Sequence, residues 1–277
     1  SAAQQLKNKG WQPGLRWALY AEDSFDFAAA LFGAWHAGKT VIVPGDMQAD
    51  TVARLRAACD GMLGDLPGAL AHPAPQPAPA TPFATLDRAA TRLVVHTSGT
   101  SGEPLAIAKT LAQLDAEVHA LELRFGTLCD TGLAPVNLAA ETVAAGDAVA
   151  GLTRDAGGGA PPVVWATVTH QHIYGLLFRV LWPLAAGRPF AAERLVFNEE
   201  IAQRIAGPAV LVASPAHLRR LPETVDWSGA RAGLRAVFSS GGLLPHEAAD
   251  ATLALLGAAP VEVYGSSETG GVAWRQR

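Results

Sequence analysis

Short runs of β-branched and bulky apolar residues alternate along this chain with stretches whose apolar positions recur at helical spacing. Arg16 to Ala21 reads as a strand. Phe25 to His36 is rich in alanine and large apolar residues, and Gly38 is placed to end a helix there. Thr40 to Pro44 is a second strand, followed by a helix over Ala49 to Ala58 and a short third strand over Gly61 to Asp65. This β-α-β-α order predicts a parallel sheet covered by helices.

The pattern breaks from Leu66 to Thr85, where six prolines lie between Pro67 and Pro82. Proline fixes φ and removes an amide donor, so the segment reads as an exposed loop or linker. The alternation resumes with a buried strand over Arg92 to His96. A helix over Leu111 to Phe125 follows, with Leu114, Val118, Leu121 and Phe125 at helical spacing. Thr153 to Pro162, rich in glycine and proline, reads as a separator between two lobes. Beyond it, strands are expected at Val163 to Val168, Ala209 to Ala213, Arg235 to Ser239 and Pro260 to Tyr264, with a helix over Gln171 to Ala185. The fold class is therefore α/β: two mostly parallel, helix-covered sheet lobes, expected at residues 1–155 and 156–277. Both ends read as truncated. The chain opens inside what resembles a polar helix and closes just after a glycine-rich turn, with no following element to cover it.

Composition narrows the function classes. Hydrophobic residues make up 49% and charged residues 17%, against about 25% charged in a usual soluble domain. This points to much buried surface, or to surface that meets another domain. The net charge of −4 argues against a nucleic-acid partner. Two cysteines, Cys59 and Cys129, are too few for a disulfide framework and form no C-x-x-C pair. Ser1 to Gly10 has no apolar core of a signal peptide. No apolar run approaches the roughly 20 residues of a membrane helix. The longest candidate, Ile173 to Ala186, is broken by Arg179 and Pro183. These features predict a soluble cytoplasmic protein.

The candidate chemistry sits where predicted strands end. After Arg92 to His96 come Thr97, Ser98, Gly99, Thr100, Ser101 and Gly102. Glycines let backbone amides approach a ligand, and consecutive amides with hydroxyls make a concave anion site suited to phosphate. A flexible Ser/Gly turn is the plainer reading. The segment is not the G-x-x-x-x-G-K-[ST] loop, because no lysine follows in register. The last strand ends in Tyr264, Gly265, Ser266, Ser267 and Glu268. A third segment, Ser239 to Pro245, carries Gly241 and Gly242, and a fourth runs Thr169-His170-Gln171-His172-Ile173-Tyr174-Gly175. Its two histidines at i and i+2 do not share a helix face, which argues against zinc.

Together these segments resemble the adenylate-forming superfamily of acyl-CoA synthetases, peptide-synthetase adenylation domains and luciferases. The Thr97 to Gly102 segment is similar to that family's phosphate-binding loop, T-S-G-[ST]-T-G-x-P-K-G. The lysine position is Leu105 here and a lysine follows at Lys109, so Lys109 is either a phosphate ligand or a plain surface lysine. Val263 to Glu268 resembles the family's Y-G-x-[ST]-E motif, and Ser239 to Leu244 its S-G-[GA]-x-x-[LM] segment. The four segments come in the family order. Ala18 to Pro44 also resembles the family's first β-α-β unit, so the likeness covers nearly the whole chain.

The resemblance implies a set of roles. Thr97 to Gly102 would hold phosphates. Tyr264 and Gly265, with Gly241 and Gly242, would lie along the adenine, and Ser267 would bond phosphate. Glu268 would ligate Mg²⁺, a hard cation that takes one or two carboxylates beside phosphate oxygens. His172 would stand beside the bound carboxylate, with His170 as the competing choice, and Tyr174 and Leu176 would contribute to an acyl pocket. The implied reaction joins a small-molecule carboxylic acid to ATP as an acyl-adenylate. A thiol, from CoA or the phosphopantetheine arm of an acyl carrier protein, then displaces AMP. The shifted lysine resembles a bacterial acyl-CoA synthetase-like subgroup, which implies an aryl or fatty acid. The family's ribose-binding aspartate and its C-terminal domain with a catalytic lysine have no counterpart after Gly271. A non-catalytic nucleotide-binding module is the rival reading. A serine hydrolase is excluded by the missing G-x-S-x-G elbow.

Overall fold

The computed structural model describes residues 15–70, 83–97, 105–133 and 160–276. They gather into two compact units. One ends at Leu114 and also takes in Gln171–Ile173; the other comprises Asp115–His170 and the chain from Tyr174 onward.

The first unit is built on a five-stranded sheet of order β3-β1-β2-β4-β5. Its strands are β1 (Arg16–Tyr20), β2 (Thr40–Val43), β3 (Gly61–Gly64), β4 (Arg92–Thr97) and β5 (Leu105–Thr110). The first four pair in parallel, and β5 closes the edge antiparallel to β4. Helix Ser24–His36 begins where the Asp23 carboxylate accepts the amides of Phe25 and Asp26 at 2.8 and 3.0 Å, a side-chain cap that satisfies two orphan donors. It packs on β1 and β2. Helix Ala49–Ala58 covers the opposite face, where Val52 and Leu55 bury Ala18, Tyr20 and Ile42. Period-2 alternation along β1 and β2 sends the two sets of side chains to these two faces.

The second unit carries a sheet of order β10-β9-β8-β7-β6. Its strands are β6 (Val163–Ala166), β7 (Ala209–Ala213), β8 (Leu234–Ser239), β9 (Pro260–Ser266) and β10 (Gly270–Gln276). All neighbours are parallel except β9 and β10. One core joins Leu211, Ala213 and Val237 to helices Asn198–Arg204 and His246–Leu256. A second cluster is aromatic. Phe238 lies 5.2 to 5.6 Å, ring to ring, from Phe125, Phe178 and Trp182, offset and edge arrangements that favour aromatic pairs.

Helix Leu111–Thr131 is held in this unit by ion pairs. Arg188, 4% exposed, donates to Glu122 at 2.5 and 2.9 Å and to Asp130 at 3.0 and 3.1 Å. Trp182 Nε1 donates to the same Glu122 carboxylate at 2.6 Å. Burial alone would lower the Arg188 pKa, but the bonds from Glu122 and Asp130 hold it above the ordinary guanidinium value.

Four sequence expectations change. Leu105–Thr110 is a strand, where none is expected from an alanine-rich run. Gly270–Gln276 is also a strand, so an element does follow the glycine-rich turn and covers β9. The helix expected over Gln171 to Ala185 starts at Ile173 and passes through a π-helical stretch, Leu176–Leu181. That wide turn buries Arg179, which donates to the Val168 and Ala192 carbonyls at 3.3 and 2.8 Å. Helices Asn198–Arg204 and His246–Leu256 add to the elements read from periodicity. Most of the proline-rich segment, and the Gly/Pro stretch before Ala160, lie outside the described residues.

Candidate functional site

In the first unit the carboxyl ends of β2 and β4 meet the inserted Gln171–Ile173 segment. Gln171, 1% exposed, donates from Nε2 to the Ala21 carbonyl at 2.9 Å, just past β1. This anchor delivers His172 to Gly45 and Asp46, which follow β2. A β-carbon placed on Gly45 would lie 3.3 Å from His172 Cε1 and 3.9 Å from the His96 carbonyl. Asp46 accepts the Gln48 amide at 2.9 Å as the next helix approaches. That bond, with Thr51, Arg54 and His172, lowers the Asp46 pKa. Desolvation lowers the His172 pKa, and the Asp46 charge opposes it. The imidazole is therefore biased toward its neutral form. His96 Nδ1 is buried and has no hydrogen-bond partner among the described residues, which marks an unfilled polar position.

A cavity of about 960 Å³ opens beside these residues. Gly45, Asp46, His96 and His172 line one part of it, and Ile42 and Val94 contribute apolar surface. The expected phosphate loop begins here: Thr97 closes β4 and pairs with Leu105. Ser98, Gly99, Thr100, Ser101 and Gly102 lie outside the described residues. Lys109 stands opposite Leu93 on β5 and is 7% exposed. It is therefore not the surface lysine that the sequence left open.

In the second unit the expected residues occupy the ends of the neighbouring parallel strands β8 and β9. Ser240 Oγ donates to the Val263 carbonyl at 2.8 Å and ties the turn after β8 to β9. Gly241 adopts φ +85°, a conformation that glycine enters without penalty, and the space where a side chain would stand is open. Gly242 follows beside Pro215. Beyond Val263, Tyr264 is 71% exposed, its ring accessible at the carboxyl end of β9. Gly265 is still in β9, paired with Gly271, and Ser267 and Glu268 belong to the turn into β10. Ser267 is half-buried and Glu268 is exposed at the tip. Ser266 Oγ accepts the Thr269 amide at 3.2 Å and fixes the shape of this turn.

The remaining expectations separate. His170 is 1% exposed, whereas His172 is exposed and reaches the cavity. Tyr174 donates to the Ala213 carbonyl at 3.2 Å, and burial pushes its pKa up. Leu176 is fully buried. Gly45, Asp46 and His96 line this cavity, and the sequence reading gave them no role. The signal for them was present, because each stands at the end of a predicted parallel strand, where ligands of open α/β sheets bind.

Among the described residues no three His, Cys, Asp or Glu side chains converge on a metal position. Glu268 offers a single accessible carboxylate. This donor set fits magnesium carried in by a nucleotide, which keeps its waters and phosphate oxygens and takes one or two protein carboxylates. It does not fit a dedicated all-protein cage. No helix among the described residues is long and apolar enough to cross a membrane.

A family model described as AMP-binding enzyme matches residues 58–277. No curated protein sequence matches the chain. Solved structures do. ATP-bound MatB from Rhodopseudomonas palustris is 19% identical with a TM-score of 0.68, covering 99% of this chain and 54% of that one. An acyl-CoA synthetase from Brucella canis is 19% identical with a TM-score of 0.70, covering 100% of this chain and 52% of that one. A malonyl-CoA ligase with methylmalonyl-CoA and AMP bound is 23% identical with a TM-score of 0.70, covering 99% of this chain and 56% of that one. The chain thus spans about half the length of these solved relatives, and at such identities the likeness establishes the fold.

Proposed function

The chain belongs to the AMP-binding enzyme family, and from that premise we propose that it carries the nucleotide and acid sites of an ATP-dependent carboxylic acid-activating enzyme. A carboxylate oxygen attacks the α-phosphorus of ATP. A C–O–P linkage forms, the bond to the β,γ-pyrophosphate breaks, and pyrophosphate departs with the electron pair. The protein forms no covalent bond in this step. It positions reactants and offsets developing negative charge.

The observation that carries the reading is the tie between the turn after β8 and the exposed end of β9. The Gly241 turn is open and the Tyr264 ring is accessible, with Ser240 bonded to Val263 between them. On this reading Tyr264 and Gly265 meet the adenine beside Gly241 and Gly242, and Ser267 bonds a phosphate. Glu268 holds Mg²⁺, which when bound supplies positive charge to the phosphate oxygens. Thr97 and the Ser98–Gly102 segment cradle phosphates. Lys109 is a second-rank candidate for the same charge. His172, biased toward neutrality, would donate a hydrogen bond to the carboxylate of the acid without an ion pair that would weaken the nucleophile.

The second step is a thioester transfer in which a thiol sulfur attacks the acyl carbon and AMP leaves. The methylmalonyl-CoA and AMP bound to the malonyl-CoA ligase support CoA as the thiol; the pantetheine arm of a carrier protein is the alternative. The resemblance of the shifted lysine to the bacterial acyl-CoA synthetase-like subgroup supports an aryl or fatty carboxylic acid. Cys59 and Cys129 are both free, which supports a reducing, cytoplasmic setting. The test is acid-dependent exchange of labelled pyrophosphate into ATP, screened over aryl and fatty acids. Exchange with one acid class supports activation. Nucleotide binding without exchange for any acid would favour a non-catalytic nucleotide-binding module.

A further inference from the structure

The Gly271 amide donates to Glu117 Oε2 at 3.2 Å, across 154 positions of sequence. Glu117 belongs to helix Leu111–Thr131, and Gly271 is the second residue of β10. The same carboxylate lies against Gly270, where any side chain would overlap it. Gly270 is buried at φ +73°, while Glu268 and Thr269 beside it are exposed. Contacts within the turn, from Thr269 to Ser266 and to the Gly270 carbonyl, set its shape. The Glu117 contact does something different: it ties the β10 side of the turn to a long helix. That helix is a firm support, since Val118 and Phe125 are 3% exposed and Glu122 and Asp130 both grip the buried Arg188.

We propose that Glu117 is a positioning residue for the turn that carries Glu268. Its carboxylate accepts the Gly271 amide, packs against Gly270, and so holds the backbone of the turn that carries Glu268. What Glu268 then meets, a magnesium-bound nucleotide, rests on the proposed function; the clamp itself does not. The geometry also explains why a glycine opens β10. Gly270 must bend with a positive φ, whereas a β-carbon on Gly271 would meet the carboxylate at an ordinary 3.7 Å.

The test compares the wild-type chain with Glu117→Gln and Glu117→Ala. Glutamine keeps a carbonyl oxygen that can accept the amide, and alanine does not. Amide hydrogen exchange is read over residues 266–271 and, as a control, over the helix beyond Glu117. ATP is titrated calorimetrically with and without magnesium. In Glu117→Ala, exchange over the turn is expected to be about tenfold faster, the size of a lost hydrogen bond to a charged acceptor. Helix exchange stays unchanged, and Glu117→Gln returns the turn to within about threefold of wild type. Affinity for Mg·ATP falls with the alanine variant while affinity for ATP in chelator does not. Unchanged turn exchange in Glu117→Ala would overturn the proposal, as would equal acceleration of the turn and the helix. A wild-type chain that binds no Mg·ATP, yet shows Glu117-dependent protection of the turn, counts against the proposed function and for the clamp.

Discussion

The His172 imidazole packs against Gly45, close enough that a β-carbon there would come within 3.3 Å of His172 Cε1. Replacing Gly45 with valine must therefore push the ring from its place. Under the proposed function, Gly45→Val lowers kcat/KM for the acid by on the order of tenfold to a hundredfold, the usual cost of about 1 Å of misplacement. Mg·ATP affinity stays near wild type. Steady-state kinetics against both substrates separates the two effects.

Acid should destabilise the fold through its histidines. The pKa values of His172 and His217 are both lowered, chiefly by desolvation; Asp46 opposes at His172, and the Val196 carbonyl opposes at His217. Arg194 and Arg220 add to the lowering at His217. Unfolded imidazoles titrate near 6.5. Below that pH the unfolded chain binds more protons than the folded one, so stability present above about 6.5 is lost as pH falls through the lowered folded values. Thermal melting from about pH 7.5 to 5 should show a falling midpoint, with a flatter profile for the His172→Gln, His217→Gln double variant. An equally steep profile in that variant would assign the sensitivity elsewhere.

The buried ion pairs of helix Leu111–Thr131 give a larger effect. Arg188→Ala leaves Glu122 and Asp130 without their shared cation, at side-chain exposures of 14% and 26%. Breaking one side of such a pair costs about 3–5 kcal/mol. Arg188→Lys recovers only part, because an ammonium cannot make the paired fork to two carboxylates. Urea denaturation of the three proteins measures both differences.

The turn after β8 isolates a backbone cost. A β-carbon on Gly241 meets nothing within 4 Å, so Gly241→Ala pays only for φ +85°, about 1–2 kcal/mol. Gly242→Ala is the control. Its β-carbon lies 3.8 Å from Pro215 Cγ, an ordinary contact, and the change should stay within about 0.5 kcal/mol. Chemical denaturation distinguishes the two.

Much of the scaffold is legible in the sequence because its central strands are buried on both faces. Thr40–Val43 and Ala209–Ala213 are β-branched or apolar throughout, and such runs leave little alternative to a parallel strand. The antiparallel edges are not legible. Leu105–Thr110 is half alanine and lysine, and Gly270–Gln276 opens with two glycines; each is a strand because a neighbour supplies its pairing, not because of its own propensity. The π-helical stretch reads as ordinary helix, since nothing in Leu176–Leu181 announces that Arg179 will be buried.

The candidate site divides in the same way. Tyr264, Ser267 and Glu268 stand out through their motif, and His172 through the segment it shares with His170, which resembles the family's carboxylate-side segment. Asp46 and His96 are ordinary residues that come to line a cavity only where two strands end together beside the inserted His172. Glu117 could not be found by spacing at all, because its partner Gly271 is 154 positions away.

The central claim is tested most directly by titrating Mg·ATP into the chain by calorimetry, beside Glu268→Gln. The account predicts saturable binding that weakens when magnesium is chelated and falls by about tenfold or more in the variant, as expected when a charge-assisted contact is lost. Binding with the same affinity in both proteins, with or without magnesium, would contradict it.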